Sequence, residues 1–136
     1  MWALIDTSVY IGHWERGCYD ALLEQVRKGF IVRHSAVVLS ELRRGARTRA
    51  AEQAVARLHG LAREIWAPTA KDWWESGLLV RSIGDAHDWD RSKRRDFQND
   101  ALIALSAKGH GATVVTANRQ GFELLAARLG LSLLVA

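Results

Sequence analysis

The sequence is poor in the features that would place it outside ordinary globular proteins. It has one cysteine, Cys18, so it can form no internal disulfide framework and lacks the paired cysteines of a zinc ribbon. A lone thiol fits a reducing compartment. Its longest apolar runs, such as Ala101 to Leu105, fall far short of the ~20 residues that a membrane span needs. The opening Met-Trp-Ala-Leu-Ile-Asp has no basic stretch and puts a carboxylate at position 6, which is not the pattern of a signal peptide. The five histidines show no metal-ligand spacing, there is no phosphate-cradling Gly-x-Gly-x-x-Gly, and there are no repeats or low-complexity tracts. Lysine is scarce too: of 19 basic residues four are Lys and 15 are Arg, against 15 acids, for a net charge of +4. Arginine is the planar, bidentate partner of phosphate and carboxylate, so this bias leans toward nucleic acid or an acidic protein partner. What is present, 136 residues of which 49% are hydrophobic, suits one compact domain over residues 1–136, soluble and cytoplasmic.

The patterning alternates short strands with helices. Trp2 to Ile5 is an apolar run ended by Asp6, as in a buried parallel strand, with Thr7 and Ser8 as candidate caps of a helix through Trp14. A helix is expected from about Tyr19 to Lys28 and a strand over Phe30–Val32. Ser35 then caps a helix ending near Gly45, and a long amphipathic helix runs from Thr48 to about Ile65. Trp66-Ala67-Pro68 breaks that pattern, and Thr69 caps a further helix whose Trp73 and Trp74 are expected to fill the core or cover a helix. The polar stretch 84–95 is expected to be exposed, with Trp89 available to a base or a partner surface. An apolar helix follows from Phe97 to about Lys108, then a strand over Thr113–Thr116, a helix over Gln120–Leu129 and a strand over Leu131–Val135. The fold class is α/β: a short central parallel sheet with helices on both faces. In such sheets the reactive crevice lies beyond the carboxyl ends of the strands.

That rule directs attention to the acids. Asp6 ends the first strand, and Asn118 follows the Thr113–Thr116 strand by two residues. Asp100 directly precedes five apolar residues, and Glu41 sits in a helix made mostly of Val, Leu and Ala. Asp96 stands four residues before Asp100 and shares its face if the helix includes both. Carboxylates at such borders are costly unless a cation or bound metal pairs with them. Each also has a plain structural explanation. Asp6 can begin a turn, Asp96 or Asp100 can serve a helix N-terminus for about 0.3–1 kcal/mol, and Glu41 can pair with Arg44 or Arg33.

Four segments in order carry a resemblance: Asp6-Thr7-Ser8-Val9, Ser40-Glu41-Leu42-Arg43-Arg44-Gly45, Asn99-Asp100-Ala101-Leu102-Ile103-Ala104, and Thr116-Ala117-Asn118 with Phe122. Together they resemble PIN-domain ribonucleases, in particular the VapC-type toxins of bacterial toxin–antitoxin modules. The resemblance implies a three-layer α/β/α fold and a metal-dependent endoribonuclease whose Asp6, Glu41 and Asp100 bind Mg²⁺ or Mn²⁺. It also implies a homodimer and a small antitoxin that covers the groove. A fourth acid normally stands at the position of Asn118 or of Gly121, and this sequence has neither. The amide oxygen of Asn118 can accept from a water on the metal, and Asp96 is the nearest source of the missing charge. Hard cations with oxygen ligands suit phosphodiester hydrolysis, and three acids suffice for one ion. Thr7, Ser8 and Thr116 are candidates to orient water, and Arg43, Arg44, Arg94 and Arg95 to hold the RNA backbone. A non-catalytic RNA- or antitoxin-binding domain is the alternative, and an unrelated nucleotide-binding α/β protein a third; the last predicts Asp6 and Asp100 far apart.

Overall fold

The structure, a computed structural model, describes residues 1–136. Five parallel strands run in the order β3-β2-β1-β4-β5, where β1 is Trp2–Ile5, β2 Ile31–Ser35, β3 Ile65–Trp66, β4 Thr113–Thr116 and β5 Leu133–Val135. Seven helices join them: α1 Thr7–Arg16, α2 Asp20–Gly29, α3 Ala36–Gly45, α4 Arg49–Leu61, α5 Ala70–His87, α6 Arg91–Gly109 and α7 Arg119–Leu129. No helix is long and apolar enough to cross a membrane. Strand alternation divides the core in two. Ala3, Ile5 and Val115 pack with Val9 and Val26 from α1 and α2. Leu4 and Val114 pack in the larger cluster with Val38, Val80, Ile83, Ile103, Phe122 and Leu125, from α3, α5, α6 and α7. The three layers follow from this, and the switch in strand order between β1 and β4 opens a crevice at their carboxyl ends.

Two caps stand where the sequence places them. Ser35 Oγ accepts from the amides of Val37 and Val38, and Thr69 and Asp72 form a reciprocal capping box. Three expectations need correction. The long helix expected to reach Ile65 stops at Leu61, and Ile65–Trp66 becomes an edge strand, with Ile65 opposite His34 and Trp66 opposite Ser35. Trp66 is buried there, edge-on to Trp2 and stacked on His110 at 3.9 Å. Trp73 and Trp74 are 54% and 84% exposed, because α5 buries its Ser76, Val80, Ile83 and Gly84 side instead.

The third concerns α6, expected from Phe97 but beginning at Arg91, so that the largely exposed stretch 84–95 is the joined ends of α5 and α6, with Asp88 in the left-handed conformation at the turn. Arg94 clasps the hairpin: its Nε donates to the Trp89 carbonyl at 2.9 Å and Nη1 to Asp85 Oδ1 at 2.8 Å. The guanidinium lies on Gly84, where a Cβ would come within 2.9 Å of Arg94 Cζ. Trp89 packs edge-on against Phe97 at 4.9 Å and so is part of this hairpin's packing. Arg94→Ala should therefore lower stability by about 1–2 kcal/mol in urea melts, and Gly84→Ala should do likewise by displacing the clasp; unchanged midpoints in both would contradict this assignment.

Candidate metal centre

The crevice is built around Asp6. Its amide donates to the Val115 carbonyl at 2.8 Å, locking the residue across from β4. Asp6 holds the N-cap position of α1, a place given to Thr7 or Ser8 by sequence, yet its carboxylate makes no capping bond. Oδ2 instead accepts from Ser8 Oγ at 2.8 Å and Thr116 Oγ1 at 2.9 Å. Those hydroxyls are themselves held by consecutive amides: Ala117 N–H donates to Ser8 Oγ at 3.1 Å and Asn118 N–H to Thr116 Oγ1 at 2.9 Å. An amide can only donate and an ionised carboxylate only accept, so each hydroxyl takes the amide on a lone pair and gives its one hydrogen to Asp6. Asp6 is 4% exposed.

Glu41 comes from the middle of α3, where its Oε1 accepts from Thr7 Oγ1 at 2.8 Å. Asp100 is the tenth residue of α6, well beyond the reach of the helix N-terminus, because α6 begins at Arg91 and not at Phe97. Asn118 Nδ2 donates to Asp100 Oδ2 at 3.3 Å. Burial, then repulsion from Asp6 and from Glu41, push the Asp100 carboxyl up to about 7, against the pull of Lys93 and the Asn118 hydrogen bond. Burial also raises the pKa of Asp6, its hydrogen bonds pulling the other way. Asp100 thus feels the charge of the two other acids, both remote from it in sequence. None of them takes part in an ion pair: Arg33 pairs with Glu64, and Arg94 with Asp85. Sheltered carboxylates without an ion-pair partner are costly, and a divalent cation removes that cost.

The donor set is all oxygen, the chemistry of Mg²⁺ and Mn²⁺. No three acidic, histidine or cysteine side chains are already drawn together around one point. That suits an ion that takes one or two carboxylates directly and reaches the rest through water, as Mg²⁺ does. The residues fit the group.

The family model described as PIN domain matches residues 3–127. The chain belongs to the PIN domain family. Its fold is similar to a chain of VapBC2 from Rickettsia felis bound to a promoter DNA fragment, with 26% identity, TM-score 0.67, and coverage of 100% of this chain and 99% of that one. It is also similar to VapBC-1 from nontypeable Haemophilus influenzae (16% identity, TM-score 0.72, 99% and 98% covered) and to VapBC-5 from Mycobacterium tuberculosis (22%, 0.63, 99% and 98%). None of the curated proteins matches this chain.

Within this PIN domain the remaining candidates separate. Asp96 is exposed and lines a wholly polar groove with Glu41, Arg44, Arg95, Gln98 and Asn99. It stands beside Glu41 and is not among the charges acting on Asp100. Arg44 and Arg95 line that groove, from α3 and α6. Arg43 lies in a broader groove between α3 and α4, floored by Leu39, Val55 and Ile65, which Arg44 also borders. Arg94 is spent on the α5–α6 clasp. Thr7, Ser8 and Thr116 give their hydrogens to carboxylates, so the geometry makes them orienters of acids in place of orienters of water. Asn118 Oδ1 accepts from Gly121 N–H at 3.3 Å, so its oxygen caps α7 and its amino group faces Asp100. Sequence reasoning gave Lys93 no role at the acids; its spacing of seven from Asp100, two helical turns, was the signal.

Between the ordinary carboxyl value of 3.8 and about 7, the folded chain holds the Asp100 proton more tightly than the unfolded chain does. Stability from this group therefore falls as pH rises through that window. The metal-free melting temperature should drop from about pH 5 to about pH 8 more steeply than in Asp100→Asn, and MnCl₂ should raise it more at the higher pH, where no proton competes. Equal slopes in the two proteins would refute the coupling.

Proposed function

We propose that this protein is a VapC-like endoribonuclease, the toxin of a type II toxin–antitoxin pair, which hydrolyses RNA phosphodiester bonds in the cytoplasm with Mg²⁺ or Mn²⁺ held by Asp6, Glu41 and Asp100. The observation that carries this reading is how the acids are tied together: Thr7, next to Asp6, bonds Glu41, while Asn118 bonds Asp100 and reaches Asp6 through Thr116, and none of the three acids is in an ion pair. When bound, the ion would neutralise charge on the phosphate and make water a nucleophile near neutral pH. The chain does the rest. The two hydroxyl relays fix the plane of the Asp6 carboxylate, and Thr7 fixes Glu41. Arg44 and Arg95, on opposite walls of the polar groove that contains Glu41, bind backbone phosphates leading into the crevice. Asp96, in the same groove, repels phosphate and narrows where a strand can lie.

The solved relatives are toxin–antitoxin complexes, which supports a small antitoxin as partner. The broad groove between α3 and α4, apolar on its floor and bordered by Arg43 and Arg44, suits an amphipathic acidic segment of it. The exposed Trp73, Trp74 and Leu78 of α5 support a homodimer formed through that helix. A non-catalytic binding protein is the second reading, favoured by the uncharged Asn118 and Gly121 at the crevice.

Purified protein with MnCl₂ should cleave single-stranded RNA, EDTA should stop it, and Asp6→Asn should cost at least about 100-fold in rate. Binding without cleavage at saturating Mn²⁺ would select the second reading. Arg44→Ala and Arg95→Ala should each weaken RNA binding and reduce the slope of log affinity against log salt by roughly 0.7–1, whereas Arg94→Ala should leave that slope unchanged.

A further inference from the structure

We propose that Asn118 is a positioning residue that holds the Asp100 carboxylate by a donated hydrogen bond and keeps the crevice to a single divalent ion, and that the bare Cα of Gly121 is what permits this. The proposal rests on the metal-binding reading above.

Two contacts fix which way the amide points. Asn118 is the N-cap of α7, and the Gly121 amide, which can only donate, meets its Oδ1 at 3.3 Å. The other end of the side chain is then Nδ2, and it meets Asp100 Oδ2 at 3.3 Å. Both contacts agree on one orientation, and both are lost if the amide flips. Aspartate would cap α7 as well as asparagine does. Its second oxygen, however, would face the Asp100 oxygen with no hydrogen between them. At this position capping tolerates either residue, but contact with Asp100 requires the amide. The backbone N–H of the same residue fills the lone pair of Thr116, which in turn donates to Asp6. Asn118 therefore sets the orientation of two of the three acids, one from its side chain and one through its main chain.

Gly121 is coupled to it by space. A Cβ at position 121 would stand 2.7 Å from Asn118 Nδ2 and 3.3 Å from its Cγ. A side chain there makes the amide end of Asn118 shift from this position beside Asp100. The two positions at which the resemblance leads one to expect a fourth acid are thus occupied by an interlocked pair: a donor at 118 and the vacancy at 121 that the donor needs. An acid at 121 displaces the Asn118 amide from this placement, and one at 118 removes the donor. With three carboxylates and a neutral donor, the charge suffices for one Mg²⁺ or Mn²⁺ and not for two.

The test titrates MnCl₂ into the purified protein, with bound ion read by calorimetry and free ion by electron paramagnetic resonance, and with folding followed by circular dichroism. Wild type should bind one Mn²⁺. Gly121→Ala and Asn118→Ser, which keeps a capping hydroxyl, should each bind it about ten-fold more weakly while their helical spectra are unchanged. Asn118→Asp should bind a second Mn²⁺. A wild type with two Mn²⁺ sites, or Gly121→Ala and Asn118→Ser with wild-type affinity, would overturn the proposal alone, leaving the metal reading intact. A wild type that binds no Mn²⁺ would overturn the metal reading and this proposal with it.

Discussion

Mutual repulsion among carboxylates is the constraint around which this molecule is arranged. Asp6, Glu41 and Asp100 are supplied by a strand end and two helix interiors, and each is anchored where its backbone has no freedom to retreat. Asp6 is pinned to β4, Glu41 sits within α3, and Asp100 precedes the most deeply buried stretch of α6, Ala101 to Ala107. Separating the charges would mean pulling apart the sheet or lifting α6 from the core. The apolar packing of the domain therefore supplies the free energy that keeps the acids together. Few hydrogen bonds soften the arrangement, and those that do come from hydroxyls and one amide, which carry no net charge.

The topology explains why the charges converge. Parallel strands joined by right-handed crossovers put all the strand carboxyl ends on one edge, and the change of direction between β1 and β4 leaves a gap there. Asp6 follows β1 directly, and Asn118 follows β4 by two residues. The α3 and α6 helices then bring Glu41 and Asp100 to the same edge. The same helices carry Arg44 and Arg95, so the polar groove that these line adjoins the acids through Glu41.

Much of this was legible in the sequence where local chemistry decides structure. The apolar run ending at Asp6, the Ser35 and Thr69 caps and the β-branched Thr113–Thr116 strand all follow from side-chain chemistry within a few residues. So did the three acids, since carboxylates bordering apolar runs stand out. What escaped depends on contacts made at a distance. Ile65–Trp66 is a strand only because β2 offers an unpaired edge, and residues 84–95 turn helical because Arg94 finds Gly84, Asp85 and the Trp89 carbonyl. Charge runs do not announce that one arginine among several is committed to a clasp while another faces a groove. Nor does the residue name Asn118 tell which end of its amide meets the acid; that required the position of the Gly121 N–H.

The double relay onto Asp6 has a bearing on how the protein is made. Amides 117 and 118 reach the carboxylate only through Ser8 and Thr116, and they do so only when Leu4 stands opposite Val114 and Ile5 opposite Val115. Slipping this pairing by one residue would turn every β4 side chain to the wrong face and leave both hydroxyls without their amides. A nascent or partly opened chain consequently has no assembled centre, which forms only together with closure of the β1–β4 strand pair. Strand register thus links maturation of the polypeptide to completion of its acidic centre.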